Sequence, residues 1–429
     1  MAHTEEFDYD RQRAEEMTWR LARERGVTRR RFLELAGIVG AGYLLHACGD
    51  GSKSRPGAER AAEATSTTSP AAPTTAAKGA FWVKPIPEDK FVVHNNNAEM
   101  RWEQMRQHDY PTPNDLFFVR NHTRTPTVDP ATWRLRVEGT GVARPLELTL
   151  DELRKVGTET TVVRSVECAG NGRVFFQEVL GMKADGSQWR LGAIGVAEWT
   201  GVPLGAVLER AGVKRSTRDV MPVGLDELKV QRPVPLAKAM ADDTLLAYAM
   251  NGEELPPDHG APVRALVPGW IGVADVKWVG RIQVAEEPLI SDWNTTSYVL
   301  VGPGYPPEGR AKGPVVTTQV VKSALELPWP ARIGRGPQTL HGRSWSGTGA
   351  IKKVEVRIDQ GPWAPAPLQA PNESAAWVRW SYPWEASPGE HTVSVRATDS
   401  LGKSQPDSVT FNQLGYLYGA VVAHPVSVS

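Results

Sequence analysis

From about residue 313 onward the chain alternates apolar and polar residues, and this pattern restricts the fold more than any other feature. Residues 353–358 alternate in this way and lead into turn-forming residues at 359–362, and residues 391–397 alternate again. Successive side chains of a strand point to opposite faces, so the alternation indicates strands with one buried face. Short strands of this kind, separated by turns, predict a β-sandwich over residues 312–429.

Residues 81–311 mix helical and strand patterns. Residues 203–212 place apolar side chains at helical spacing and end in glycine, and residues 149–153 indicate a second helix start. Residues 161–166 and 276–284 have the composition of strands. We therefore predict an α+β domain over residues 81–311, with a domain boundary near residues 311–315.

The first 80 residues have the pattern of an export address. Residues 28–33 (Thr-Arg-Arg-Arg-Phe-Leu) precede a short apolar stretch that ends at Cys48, so residues 1–48 resemble a twin-arginine export signal, the alternative being an amphipathic first helix. Residues 45–48 also resemble a lipoprotein cleavage box, although His46 is unusual there, and lipidation of Cys48 stays open. Residues 49–80 are small, polar and Pro-rich and predict a disordered linker. We expect an extracytoplasmic protein (in the periplasm or on the outer face of the membrane), exported by the twin-arginine machinery.

Composition excludes several classes of protein. Lys plus Arg and Asp plus Glu each number 49, so the formal charge is zero and a strongly basic nucleic-acid-binding protein is excluded. Two cysteines cannot form a disulfide-rich scaffold or a four-cysteine metal site. If Cys48 belongs to the signal, Cys168 is the one thiol of the mature chain.

Cys168 follows the predicted strand 161–166 and enters a Gly-rich turn, with Arg164 and Arg173 on either side. Nearby cations favour the thiolate, which is both a soft metal ligand and a nucleophile. A lone cysteine is also commonly an inert buried side chain. These alternatives stay open on the residues alone.

Seven further segments are distinctive in sequence and order, namely residues 114–122 (NDLFFVRNH), 165–173 (SVECAGNGR), 224–226 (GLD), 246–252 (LAYAMNG), 258–264 (DHGAPVR), 267–269 (VPG) and 275–278 (DVKW). Together they make the chain resemble the sulfite oxidase family of molybdenum enzymes. The resemblance covers residues from about 85 to the end of the sequence, and the predicted sandwich resembles the immunoglobulin-like dimerisation domain of that family. It implies a molybdopterin-binding domain over residues 81–311 and a sandwich that forms a homodimer.

By this resemblance, a molybdenum atom is held by a pterin dithiolene, with Cys168 as its protein ligand. Arg120, Arg173, Trp189 and Tyr298 are implied to complete the catalytic site, since guanidinium groups suit a small oxyanion. Singly, each residue has an ordinary structural alternative, such as a loop histidine for His122. The residues implied to bind the pterin and its phosphate are Phe118, Val119, Arg120, Asn121, His122, Asp226, His259, Arg264, Asp275, Val276 and Lys277.

The implied activity is oxidation of sulfite to sulfate by oxygen-atom transfer. The sequence has no Cys-x-x-Cys-His motif and no segment like the haem domain of animal members, so we expect no haem and an external acceptor such as a cytochrome c. Residues 411–421 lack the arginine that the family's C-terminal domain adds to the substrate site, which leaves the substrate open. Two alternatives are a reductase of an S-oxide or oxidised methionine with the same cofactor, and a metal-free extracytoplasmic binding lipoprotein.

Overall fold

The computed structural model describes residues 81–429. The predicted export signal (1–48) and linker (49–80), with Cys48, lie outside the described residues. Within residues 81–429, none of the helices combines the length and the apolar character that crossing a membrane requires.

The first part of the described chain contains short helices among strands. Short 3₁₀ helices cover Pro257–His259 and Asp292–Asn294. In chain order the other elements are β1 (Phe91–His94), β2 (Asn97–Met100), α1 (Trp102–Met105), β3 (Leu135–Glu138), β4 (Leu146–Leu148), α2 (Leu150–Leu153), β5 (Thr160–Glu167), α3 (Val174–Leu180), β6 (Ile194–Pro203), α4 (Leu204–Arg210), β7 (Asp219–Gly224), β8 (Val234–Pro235), α5 (Leu236–Ala239), β9 (Leu245–Met250), β10 (Glu253–Glu254), β11 (Arg264–Leu266) and β12 (Val279–Ala285).

These strands form two five-stranded sheets and the β1–β2 hairpin. One sheet has the order β10-β9-β6-β5, with β11 paired to β9, and the other has the order β4-β3-β12-β7-β8. Strand β12 runs parallel to β3 and antiparallel to β7. Val207 and Leu208 of α4 pack with Leu246 and Ile282 in one apolar core, so this helix covers the sheets with its apolar side.

The predicted helix starts form for local reasons. Thr149 caps α2, since its hydroxyl accepts from the Glu152 amide while the Glu152 carboxylate accepts from the Thr149 amide. Helix α4 ends just before Gly212, which adopts φ +68°, a left-handed conformation that glycine tolerates. The helices are only four to seven residues long, so the α+β part is mostly strand.

The second part of the chain is built of strands. They form a four-stranded sheet, β13-β15-β19-β18, and a five-stranded sheet, β14-β21-β20-β16-β17. Their bounds are β13 (Lys322–Leu325), β14 (Ala331–Ile333), β15 (Gly336–Trp345), β16 (Ile351–Ile358), β17 (Ala364–Ala366), β18 (Leu368–Gln369), β19 (Trp377–Ala386), β20 (Gly389–Asp399) and β21 (Ala423–Val428).

These two sheets share one apolar core, which is the two-layer arrangement that the alternating pattern predicts. Leu340 of β15 and Trp380 of β19 pack in the same buried cluster as Val354 of β16 and Val395 of β20. The segments 353–358 and 391–397 lie within β16 and β20, as predicted. The immunoglobulin-like classification and the boundary near residues 311–315 stay predictions.

Strand β5 positions Cys168, which carries the only thiol among residues 81–429. It pairs antiparallel with β6 along its whole length, from Thr160 opposite Gly201 to Glu167 opposite Ile194. Cys168 comes directly after this strand, and its amide donates to the Ala193 carbonyl over 2.9 Å. The chain then turns, because the Asn171 amide donates to the Cys168 carbonyl over 2.9 Å.

Candidate active site

An open cavity lies where Cys168 leaves β5. Residues from four other parts of the chain reach it, namely residues 117–122, residues 226–230, the segment 258–278 and Tyr298. The cavity brings together most of the residues predicted from the sequence. The predicted residues that line it are Phe118, Arg120, Asn121, His122, Cys168, Asp226, His259, Arg264, Asp275, Val276, Lys277 and Tyr298.

Cys168 is buried, with 7% of its surface exposed, yet it lines the cavity. The adjoining cluster of buried apolar residues contains Phe117, Phe118 and Trp189. Cys168 therefore packs against this apolar cluster and also borders the cavity. It is therefore available to bind a ligand in the cavity.

Two cations also line the cavity, the buried Arg264 and the half-buried Lys277. The Lys277 ammonium donates to the Asn121 side-chain oxygen and, over 2.8 Å, to the Asp258 carbonyl. Burial, aided by the charge of Arg264, lowers the pKa of Lys277 to about 7, while the carboxylates of Asp258 and Asp226 act against this shift. Burial likewise lowers the pKa of Arg264 to about 10. An anion in the cavity would stabilise the charged forms of both side chains.

Three side chains of this wall carry buried polar atoms that lack a hydrogen-bond partner among the described residues. They are Nε2 of His259, Nε of Arg264 and Oδ2 of Asp275. Burial lowers the pKa of His259 well below its ordinary value and raises that of Asp275 to about 7. Such orphaned atoms each cost about 1–3 kcal/mol. Their position on one wall suits a ligand that presents both donors and acceptors.

The same side chains hold one another in place through their other atoms. Arg264 donates from Nη1 to the His259 carbonyl over 3.0 Å and from Nη2 to the Asp275 carbonyl over 3.1 Å. The Asp275 carboxylate accepts from the Val267 amide over 2.7 Å. Contacts within the chain therefore fix the relative positions of these three residues.

Asp226 stands at the turn after β7. Its carboxylate accepts from the Val230 amide over 3.0 Å. Burial raises its pKa, and the hydrogen bond from Val230 opposes that shift. Asp226 is thus both a turn residue and a side chain of the cavity wall.

Arg120, His122 and Tyr298 form a hydrogen-bonded chain at the cavity. Nη2 of Arg120 lies 3.0 Å from Nδ1 of His122, and Nε2 of His122 lies 3.1 Å from the Tyr298 hydroxyl. Because a guanidinium can only donate, Nδ1 of His122 accepts and the ring carries its proton on Nε2. His122 therefore donates to the Tyr298 oxygen.

Tyr298 is also held by its backbone and by stacking. Its φ is +51°, a left-handed conformation that is rare for a bulky residue. Its ring stacks on that of Tyr416, with centroids 5.1 Å apart and planes at 10°. Strained, over-determined residues of this kind cluster at functional sites.

Three predicted residues do not line the cavity. Val119 is fully buried and pairs with Ala98, so its contribution to the wall is its backbone position. Trp189 is fully buried and packs edge-on against His94, with ring centroids 5.1 Å apart. Both support the wall from behind.

Arg173 is buried beside the cysteine turn rather than in the lining. Its Nη1 donates to the Ser187 carbonyl over 2.8 Å, and its Nε donates to the Leu414 carbonyl over 3.1 Å. Its guanidinium also lies over the Tyr416 ring, at 5.5 Å from the centroid. A role of Arg173 in binding an anion therefore stays a prediction, and in this structure the side chain anchors backbone.

Sequence reasoning did not select Phe117, Asp258 or Trp278, which also line the cavity. The Asp258 carboxylate accepts from the amides of Val83 and Lys84 over 2.7–2.9 Å and so pins the start of the described chain to the wall. All three residues stand beside selected ones in segments 114–122, 258–264 and 275–278, and that adjacency was the available signal.

The cavity fits the cofactor that the sequence resemblance implies. A metal–pterin dithiolene with a terminal phosphate needs a thiolate for the metal, cations for the phosphate, and donors and acceptors for the heterocycle. Cys168, the pair Arg264 and Lys277, and the orphaned atoms of His259 and Asp275 supply these three kinds of contact.

Comparison with known proteins places the chain among molybdenum oxidoreductases. Residues 122–293 match the family described as oxidoreductase molybdopterin binding domain, and residues 316–426 match the Mo-co oxidoreductase dimerisation domain. Human mitochondrial sulfite oxidase is 35% identical over 373 residues, which cover 81% of this chain and 68% of that protein. Chicken sulfite oxidase is 37% identical over 333 residues, which cover 73% of this chain and 72% of that protein.

The mouse mitochondrial sulfite oxidase is 36% identical over 345 residues, and the match spans 62% of its length and 76% of this chain. Among solved structures, the sulfane dehydrogenase SoxCD from Paracoccus pantotrophus superposes with a TM-score of 0.69. That chain is 28% identical, and the superposition covers 78% of this chain and 86% of the other.

Proposed function

We propose, since the chain belongs to the sulfite oxidase family of molybdenum oxidoreductases, that it oxidises sulfite to sulfate and passes the electrons to an external acceptor such as a cytochrome c. The reaction consumes one water and releases two electrons and two protons with each sulfate. The observation that carries the proposal is that Cys168 and the cations Arg264 and Lys277 share one cavity.

In this proposal, a bound molybdenum–pterin cofactor supplies the oxygen-transfer chemistry and accepts the two electrons. Cys168 binds the metal. Arg264, Lys277 and Asn121 hold the phosphate end, where the charge of an anion matches the buried cations. His259 and Asp275 pair with the heterocycle through the atoms that otherwise lack partners.

The chain Arg120–His122–Tyr298 handles the substrate. Arg120 supplies positive charge at the cavity, which attracts a doubly charged oxyanion, and it fixes the His122 tautomer. The Tyr298 hydroxyl, which accepts from His122, donates its own hydrogen to an oxygen of the bound anion. Arg173 contributes by holding the Tyr416 ring and the carbonyls of Ser187 and Leu414.

For the whole protein, we propose export by the twin-arginine route to an extracytoplasmic site, with lipidation at Cys48 as a further possibility to test by mass spectrometry. We also propose that residues 312–429 form an immunoglobulin-like domain through which two chains associate. The match of residues 316–426 to a dimerisation domain supports this association. Light scattering on the purified protein measures it.

The direct test measures molybdenum content together with sulfite-dependent reduction of ferricyanide and of cytochrome c. We expect about one molybdenum per chain and turnover with both acceptors. The variant Cys168→Ser should fold but lose turnover, whereas Cys48→Ser, the matched control at the other cysteine, should keep both metal and turnover. Full turnover by Cys168→Ser would refute the assignment of the metal ligand.

Other outcomes point to the alternative functions. A protein that contains molybdenum but reduces methionine sulfoxide or another S-oxide, without oxidising sulfite, would be a reductase. A protein that folds in a cofactor-competent host without molybdenum would contradict the proposal altogether.

A further inference from the structure

The turn that carries Cys168 is held by an ammonium from the second part of the chain. Lys322, the first residue of β13, donates to the Glu167 carboxylate over 2.8 Å and to the Asn171 carbonyl over 2.6 Å. The side chains of Lys322 and Glu167 are only 3% and 2% exposed. The ion pair is therefore fully buried, and it grips the turn at the residue before Cys168 and at the end of the turn.

The contacts of Lys322 continue to the thiol residue itself. The Asn171 side chain donates to the Glu167 carboxylate over 2.9 Å and accepts from the Ala193 amide over 3.0 Å. Ala193 in turn accepts the hydrogen bond from the Cys168 amide. The Glu167 carbonyl accepts from the Gly272 amide over 2.6 Å, which ties the turn to the far wall of the cavity.

A buried ion pair is a costly way to hold a turn. Removing two charges from water costs several kcal/mol for each ion, and an apolar pair of the same size is often as stable. The pair instead fixes the geometry of the turn, since an ammonium that donates to two acceptors holds both ends of the turn in place. The orientation of Cys168 is the property that depends on those two ends.

We propose that Lys322 is a positioning residue for Cys168, so that the domain carrying β13 forms part of the metal site in addition to its role in association. The proposal rests on the assignment of Cys168 as the metal ligand under the proposed function. Glu167 and Asn171 transmit the constraint, and Lys322 touches neither cofactor nor substrate.

The test compares three variants of the full chain, all in a Cys48→Ser background so that Cys168 is the only thiol. They are Lys322→Met, the double variant Glu167→Gln/Lys322→Met, and the control Arg343→Met. Arg343 forms the other buried ion pair of this region, with Glu326 at 2.7 Å, but it holds the carbonyls of residues 105–110 instead of the cysteine turn. The double variant leaves no uncompensated charge, so it keeps the test valid if Lys322→Met fails to fold.

Two readouts do not depend on turnover. One is the molybdenum and pterin content of protein from a cofactor-competent host. The other is the rate at which N-ethylmaleimide modifies Cys168 in protein from a cofactor-deficient host. We expect the molybdenum content of Lys322→Met and of the double variant to be at least about ten-fold below that of the wild type. A loss of this size is typical when a residue that supports a metal ligand is removed. We also expect a changed rate of modification for both, and wild-type values for Arg343→Met.

Three results separate the possibilities. If the double variant regains wild-type metal content and modification rate, Lys322 only balances a charge and the positioning role is wrong. Equal loss in Arg343→Met would show general destabilisation and would also refute it. If the wild type binds molybdenum but does not oxidise sulfite, the proposed function fails while the positioning role is still decided by the metal content.

Discussion

Replacing Lys277 with methionine should stabilise the cofactor-free chain, even though Lys277 is a proposed cofactor-binding residue. Its ordinary pKa is 10.5, and burial lowers this to about 7 in the folded protein. At about 1.4 kcal/mol for each pKa unit, the difference between these values sets an upper limit of roughly 5 kcal/mol, which solvent lowers because the side chain is half-buried. Below pH 7 the folded chain bears this whole cost, because the ammonium is charged but poorly solvated.

The pH dependence follows from proton binding. Between about pH 7 and pH 10.5 the unfolded chain holds a proton on Lys277 that the folded chain has released, so the free energy of unfolding rises with pH across this window. The variant lacks this amine, so its free energy of unfolding should not show this rise with pH. The advantage of Lys277→Met over the wild type should therefore be largest at pH 6 and should fade as pH approaches 10.

Urea unfolding of cofactor-free protein at pH 6, 8 and 10, followed by tryptophan fluorescence, measures the effect. The matched control is Lys353→Met, a substitution at a side chain that is 54% exposed, for which we expect a curve parallel to the wild type. In cofactor-loaded protein the sign should reverse, since the variant loses a partner of the phosphate. A difference between Lys277→Met and the wild type that does not change with pH would refute the reasoning.

Two further predictions concern the cavity wall. Arg120→Gln should raise the KM for sulfite by about ten-fold or more, since a charged hydrogen bond is lost, and steady-state kinetics that show an unaltered KM would contradict its place in the anion site. Gly260→Ala should lower metal content and thermal stability, because Gly260 has φ +114° and an added Cβ would lie 3.0 Å from Arg264 and 3.1 Å from Lys277. Gly252→Ala, with φ +76° and open space around it, is the control for backbone strain alone, and an equal effect there would exclude crowding of the wall.

The strands were predictable where the pattern is local. The alternation in residues 353–358 and 391–397 needs only one buried face, and both segments form long strands whose apolar residues enter the shared core. The helix predicted over residues 203–212 forms as Leu204–Arg210, since its start and its terminal glycine are also local signals. The pairing of β12 with β3 and β7 depends on distant residues, so no local pattern indicated it.

The site was predictable to the level of segments but not of side-chain directions. The ordered motifs correctly predicted which segments line the cavity. Arg173 lies on the same turn as Cys168 but outside the lining, because its guanidinium donates to the carbonyls of Ser187 and Leu414. Leu414 is 241 residues away, and no spacing rule reports such a contact. The sequence did not predict a role for Lys322 for the same reason, since its partner Glu167 lies 155 residues earlier.

Folding and cofactor binding draw on the same free energy in this cavity. The orphaned atoms of His259, Arg264 and Asp275 lie on one wall, and each costs about 1–3 kcal/mol while it lacks a partner. Lys277 adds a buried charge beside them. A ligand with anionic groups for Arg264 and Lys277 and with hydrogen-bond donors for Asp275 removes these penalties together. A ligand that binds only the folded chain also stabilises it by an amount that grows with its affinity. The residues of this wall therefore lower the free energy of unfolding of the cofactor-free chain. For this reason a substitution such as Lys277→Met should change the stabilities of the cofactor-free and cofactor-loaded forms in opposite directions.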